Sequence, residues 1–161
     1  MSKDMIMKKL ETKLKLNRDV YFVEYDESID WRKTLPDGNW SLTVIADKPD
    51  PKINDLIRIA IDNNTGYICG VGKEQGFVEL IADLEIVERK ITGAYLPGHL
   101  ILTVGDEEFE DGIWYSLYLT HNGDTEIKKI VFVDFTGKAY PKFIELIGKL
   151  ENGYLPPDSD L

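Results

Sequence analysis

Apolar residues along the chain fall into two patterns that follow one another in turn. Short, nearly continuous apolar runs predict strands over residues 20–25, 40–47, 67–72, 100–104 and 129–135. Apolar residues spaced at i, i+3, i+4 and i+7 predict helices over residues 53–61, 77–91, 114–121 and 141–150. Strands separated by helices, with connections too long for hairpins, imply a mainly parallel sheet. The pattern therefore predicts a three-layer α/β domain, Rossmann-like or flavodoxin-like, with four or five strands and helices on both faces.

The second predicted helix has the longest apolar set, which we expect to face the core. The residues of this set are Phe77, Leu80, Ile81, Leu84, Val87 and Ile91. The acidic residues between them are expected to face water.

The chain divides into a single α/β domain over residues 19–153 and two short ends. Residues 1–18 carry six basic and two acidic side chains, and loosely helical apolar spacing from residue 5 to 16 predicts a basic N-terminal helix or arm. Residues 154–161 are rich in proline and acid, which predicts a disordered tail.

Charge and composition limit the classes of partner. The formal net charge is −10, and clustered cations of the kind that bind phosphate are confined to the short basic end, so a nucleic-acid partner is not expected. No apolar run is long enough to cross a bilayer, and the start of the chain lacks a secretory signal, which predicts a cytoplasmic protein without membrane contact. The single cysteine, Cys69, reads as a small buried hydrophobe.

A dense acidic turn follows the fourth predicted strand, at the edge where open α/β sheets bind ligands. An acidic surface of this kind suits a basic protein partner, in the manner of small immunity or antitoxin proteins. Trp31, which lies among charged residues, is a candidate anchor for the same partner. The predicted partner-binding carboxylates are Asp106, Glu107, Glu108, Glu110 and Asp111.

The alternative function is that of a Mg²⁺-dependent phosphotransferase or hydrolase. Asp47, Asp106 and Asp134 lie at or near the ends of predicted strands, so in a parallel sheet they are expected to converge. Hard cations such as Mg²⁺ choose carboxylate oxygens. The same acids also offset helix dipoles and aid solubility, which needs no metal.

A glycine-rich segment between the third strand and its helix is a candidate nucleotide site. Gly70, Gly72, Lys73 and Gly76 form a G-x-G-x-x-x-G run in which backbone amides and a lysine would hold phosphate. The run has one residue more than the dinucleotide fingerprint, and no strand that ends in a ribose-binding acid follows it.

Four stretches together resemble a family of short uncharacterised bacterial α/β proteins. They are WSLTVIAD, IRIAIDNNTGYICGVG, TVGDEEFEDGIWY and KIVFVDF, and they span roughly residues 40–135. The resemblance implies a Rossmann-like fold and a bacterial cytosolic origin, and it brings no site residues.

The leading expectation is therefore a non-catalytic binding module without a cofactor, because no nucleophile elbow, Walker loop, Ser-His-Asp set or Cys-His pair is present. The oligomeric state is left open by the sequence.

Overall fold

A six-stranded sheet forms the centre of the computed structural model, which describes residues 6–157. The strand order is β1-β2-β6-β3-β4-β5, and only the short β1 is antiparallel to its neighbour. The strands are β1 (Lys8–Lys9), β2 (Asp19–Glu24), β3 (Trp40–Ile45), β4 (Tyr67–Val71), β5 (Leu102–Asp106) and β6 (Lys129–Asp134).

Within the described residues, five helices cover the sheet on its two faces. Three pack on one face, called face A, and two pack on the other, called face B. Face A carries α1 (Trp31–Thr34), α2 (Pro51–Asp62) and α3 (Gln75–Thr92), whereas face B carries α4 (Phe109–Tyr118) and α5 (Tyr140–Glu151). The prediction of a three-layer α/β domain with a mainly parallel sheet is confirmed.

The local signals for the helix ends act as their chemistry predicts. The Asp50 side chain accepts a hydrogen bond from the Lys52 amide, and Pro51 occupies the first position of α2. Gly93 ends α3 in the left-handed conformation, at φ +74°. These caps fix where each helix leaves the sheet.

Strand β3 lies at the centre, and all of its residues are buried. Its side chains alternate between the two faces, so that Leu42 and Val44 join the core of face A whereas Ile45 joins that of face B. The largely apolar character of this strand, in which Ser41 and Thr43 are the polar residues, follows from cover on both sides.

The crossovers run in two directions. The connections from β2 to β3, β3 to β4 and β4 to β5 pass over face A, and the return from β5 to β6 passes over face B. The return crossover runs across the sheet in the opposite direction and over the opposite face, so it has the same handedness as the other three. Strand β6 thereby enters between β2 and β3.

Two details of the predicted fold are wrong. The sheet has six strands rather than four or five, because the N-terminal segment adds β1. The five parallel strands, numbered along the chain, have the order 1-5-2-3-4, which differs from the Rossmann and flavodoxin orders.

The two ends of the chain lie against the domain. The predicted helix over residues 5–16 is wrong from Met7 onward, because β1 and an irregular arm replace it; residues 1–5 lie outside the described part. Glu151 accepts hydrogen bonds from the Thr12 hydroxyl and the Lys13 amide and so holds this arm. Of the predicted tail, residues 154–157 are described, and Tyr154 packs on face B.

Candidate functional site

Negative charge is concentrated at the end of the sheet where the parallel strands finish. The loops at this end carry eight carboxylate side chains and three lysines, whereas those at the opposite end carry four acidic and four basic side chains. The first set of loops, called the carboxyl rim, comprises residues 25–30, 46–50, 72–74, 107–108 and 135–139. The second set, called the amino end, comprises residues 10–18, 35–39, 63–66, 93–101 and 119–128.

A cavity of about 290 Å³ opens in the carboxyl rim between β3 and β6. The chain leaves β3 toward face A and leaves the adjacent β6 toward face B, so a crevice forms between the diverging loops. Open α/β sheets bind their ligands at such a switch point. The lining residues are Asp47, Lys48, Pro49, Asp50, Phe135, Thr136 and Lys138.

An aromatic stack supports one wall of this crevice. The Tyr25 ring lies 4.4 Å from the Phe135 ring, nearly parallel to it, and 6.4 Å from the Trp31 ring. Burial raises the pKa of the Tyr25 hydroxyl, and the nearby carboxylates of Glu27, Asp50, Asp55 and Asp26 raise it further. The Tyr25 hydroxyl thus lies near several carboxylates, whereas the crevice itself is lined by two aspartates and two lysines. Sequence patterns missed Tyr25 and Phe135, although each stands directly after a strand.

The predicted acidic turn is divided by the structure. Glu107 and Glu108 are exposed, whereas Asp111 is buried in the first turn of α4. Glu110 pairs with Lys149 at 2.8 Å and accepts a hydrogen bond from the Tyr154 hydroxyl. Asp106 accepts from the Glu108 amide and so shapes the turn. The five carboxylates therefore do not share one exposed surface.

Trp31 is not an exposed anchor. Its side chain is 8% exposed and packs in the core of face A, in the one-turn helix α1. The prediction of an exposed tryptophan came from its charged neighbours. Asp30, Arg32 and Lys33 are exposed, whereas the Trp31 indole faces the core.

The three aspartates of the predicted metal site share one edge of the sheet but do not converge. Asp134 and Asp106 occupy the same cross-strand row, separated by β3 and β4, which places them about 14 Å apart at the usual strand spacing. Asp47 pairs with Lys138 at 3.5 Å. Among residues 6–157 no group of three His, Cys, Asp or Glu side chains is placed to hold a metal ion.

Asp134 instead shapes the loop beneath the crevice. Its carboxylate is 1% exposed and accepts hydrogen bonds from the Thr136 amide, the Thr136 hydroxyl and the Ala139 amide. These bonds fix the turn that leads from β6 into α5 and hold Phe135 and Lys138 at the crevice.

The glycine-rich segment is closed by its own backbone contacts. The amide of Gly72 donates to the Asp106 carbonyl, that of Glu74 to the Ala46 carbonyl and that of Gln75 to the Gly72 carbonyl. A phosphate bound at this segment would need backbone amides of this kind as hydrogen-bond donors, but these three amides already donate to backbone carbonyls. Gly70 serves close packing, because a Cβ there would lie 2.7 Å from the Gln75 carbonyl oxygen.

Cys69 is buried on β4, and burial raises the pKa of its thiol to about 12. Its thiol is thus fully protonated at neutral pH. Burial as a small hydrophobe is confirmed.

Within residues 6–157 no helix has both the length and the apolar character needed to cross a membrane.

Fold and site together define a small three-layer α/β domain with a switch-point crevice in an acidic rim. A family model described as Domain of unknown function (DUF7684) matches residues 20–149, and the chain belongs to this family. The match begins earlier and ends later than the resemblance over residues 40–135. Searches of curated proteins and of solved structures gave no match.

Proposed function

We propose that this protein is a non-catalytic binding module that docks a basic protein partner at the carboxyl rim. The observation that carries the proposal is the distribution of charge, with eight acids against three lysines in the loops at one end of the sheet and a balanced set at the other. Such a one-sided field speeds the encounter with a cationic partner and orients it. The immunity-like or antitoxin-like mode, the bacterial origin and the cytoplasmic location belong to the same proposal.

The rim offers two kinds of contact to such a partner. Glu107 and Glu108 are exposed, and they suit the steering of incoming Lys or Arg side chains. Asp50 and Phe135 lie in the crevice, where a carboxylate next to an apolar ring suits an Arg or Lys side chain whose stem packs on the ring.

One lysine of the rim already pairs with a carboxylate of the crevice. Lys138 lies 3.5 Å from Asp47, so a cation that enters the crevice must replace an existing exposed pair. Exchange of one surface ion pair for another changes the free energy little. We therefore expect charge complementarity to raise the association rate and to orient the partner more than it raises the final affinity.

The test measures binding of a fluorescent Lys/Arg-rich peptide by anisotropy and stopped flow. The rim variant is Glu107→Lys/Glu108→Lys, and its control is Glu11→Lys/Glu126→Lys, which changes two exposed amino-end acids and alters the net charge equally. The rim variant is expected to slow association about tenfold at low salt. The control is expected to slow it less than about twofold.

Salt supplies the second arm of the test. Raising NaCl from about 20 to about 300 mM is expected to slow association with the native chain, because the added ions screen the rim. Equal slowing in both double variants would overturn the proposal, since the effect would then follow net charge and not the rim. Association that is indifferent to salt would also overturn it.

A further inference from the structure

The longest helix, α3, turns four large aliphatic residues toward solvent. Leu80, Leu84 and Val87 are each at least half exposed, and Ile91 is 80% exposed. The side that faces the sheet carries Val78, Ala82 and Arg89. The predicted orientation of this helix is therefore wrong for four of the six apolar positions expected to face the core, whereas Phe77 and Ile81 do pack against it. A contiguous apolar stripe of this kind on a protein surface marks an interaction site.

Close packing against the sheet fixes this orientation. A Cβ at Gly70 of β4 would meet the Gln75 backbone and Val78, and one at Gly105 of β5 would meet the Gln75 side chain. The helix thus lies so near these strands that its inward positions admit small side chains such as Ala82. Ile81 and Ile86 pack partly buried against the core beside these positions, and Leu80, Leu84, Val87 and Ile91 are left outside.

A buried ion network locks the helix from its other flank. Arg89 donates to the Asp62 carboxylate at 2.7 Å and to the Glu85 carboxylate at 3.3 Å. Rotation of α3 to bury Leu84 would expel Arg89 from these contacts. The stripe is consequently a fixed feature of the surface.

The spacing of the stripe matches a helix-pairing seam. Leu80, Leu84, Val87 and Ile91 are separated by four, three and four residues. Alternate steps of three and four give the 3.5-residue period by which two helices interlock. We propose that the stripe pairs with the same stripe of a second copy of this chain, the two α3 helices lying antiparallel about a two-fold axis.

The charges beside the seam select the antiparallel direction. Asp83 and Lys90 lie on one flank of the stripe and Glu88 lies on the other. An antiparallel pair places Asp83 next to Lys90 of the second copy, and two-fold symmetry repeats this attraction. A parallel pair would instead place Asp83 next to Glu88 of the second copy, twice. Thr103 donates to Asp83 at 2.7 Å and holds it on this flank.

The charge distribution of the whole domain favours the same direction. Helix α3 begins at the carboxyl rim and ends at the amino end, over a length of about 27 Å. Parallel pairing would bring two acidic rims side by side, whereas antiparallel pairing keeps them at opposite ends of the dimer. Repulsion between like-charged rims is thereby reduced.

The first arm of the test is the molar mass of the full chain by sedimentation equilibrium. Between about 1 and about 200 µM the native chain is expected to shift from monomer to dimer. Leu84→Arg is expected to raise the dimer Kd at least about tenfold. Its control is Ile144→Arg, an exposed aliphatic residue on α5, which should leave the Kd unchanged.

The second arm tests the direction of pairing. Lys90→Glu places like charges at both flanks of an antiparallel seam and is expected to raise the Kd about three- to tenfold at low salt. Adding Asp83→Lys restores opposite charges and should lower the Kd again. Circular dichroism verifies that each variant is folded.

Three results would overturn the proposal. A native chain that stays monomeric at every concentration would show that the stripe does not pair with a second copy, and a different protein would then be its partner. A dimer that Leu84→Arg does not weaken would place the interface elsewhere, for example at the outer edge of β5. A tighter dimer in Lys90→Glu would contradict the antiparallel direction.

Discussion

Arg89 of α3 donates a hydrogen bond to the carboxylate of Asp62 at the end of α2, with 2.7 Å between the two atoms. Arg89 is 9% exposed, and its guanidinium also bonds to Glu85 and to the Tyr95 carbonyl. This contact ties the two long helices of face A together. It also decides which side of α3 meets the solvent.

Replacing Arg89 by Met is expected to lower the free energy of unfolding by about 2 kcal/mol, because the partly buried carboxylates of Asp62 and Glu85 lose the guanidinium that they share. Arg32 binds the other oxygen of Asp62 but is largely exposed, so Arg32→Met should cost less than about 1 kcal/mol. Urea unfolding of both variants measures the difference. Equal losses would mean that burial of the Arg89 pair contributes nothing.

The same carboxylate predicts a dependence of stability on acid pH. Burial raises the pKa of the Asp62 carboxyl, but hydrogen bonds from Arg89 and Arg32 outweigh it and hold the pKa below its ordinary value. The folded state thus binds fewer protons here than the unfolded state, whose carboxyl titrates at roughly 4. The stabilisation is present above that pH and is lost as the pH falls through the folded-state pKa.

Urea midpoints from neutral pH down to about pH 3 check this prediction. Asp62→Asn is expected to be less stable than the native chain at neutral pH, and the gap should narrow on acidification. A gap that is constant with pH would contradict the assigned role of Asp62.

Two glycines of the glycine-rich segment are expected to respond in opposite ways to alanine. Gly70→Ala should destabilise the fold by about 2 kcal/mol, because the new Cβ meets backbone atoms of Gln75 and the Cβ of Val78. Gly76→Ala meets nothing within 4 Å and stabilises the first turn of α3 by up to about 1 kcal/mol. Thermal unfolding measures both. Destabilisation by both would show that the segment is not held as described.

Trp31 is expected to act through stability. Trp31→Ala removes a buried indole next to Tyr25 and should cost about 3 to 5 kcal/mol. Tyr95→Ala, at a residue that is 53% exposed, is the control and should cost less than about 1 kcal/mol. An unchanged unfolding midpoint for Trp31→Ala would contradict burial of this side chain and would favour the sequence-based prediction of an exposed, partner-binding tryptophan.

Strand positions could be predicted because burial imposes a local pattern. The apolar runs around β3 and β6 follow directly from cover on both faces, and Asp50 and Gly93 mark helix ends through bonds made within a few residues. The candidate site was predicted only in part. The sequence predicted an acidic site at the carboxyl end of the strands, and the crevice lies at that end. Tyr25 and Phe135 were missed because their rings stack between the ends of β2 and β6, about 110 residues apart in the chain.

The sequence by itself determined the order of strands and helices, the three-layer class and the excess of acid, because periodicity and charge are properties of neighbouring residues. Only the tertiary structure decided that β6 lies between β2 and β3, that Asp106 is three strands away from Asp134, and that Trp31 is buried. It also decided that α3 shows Leu84 to solvent, since both sides of that helix carry apolar residues. The choice between them was made by the close approach at Gly70 and by the ion pair of Arg89 with Asp62, which join segments that are distant in the chain.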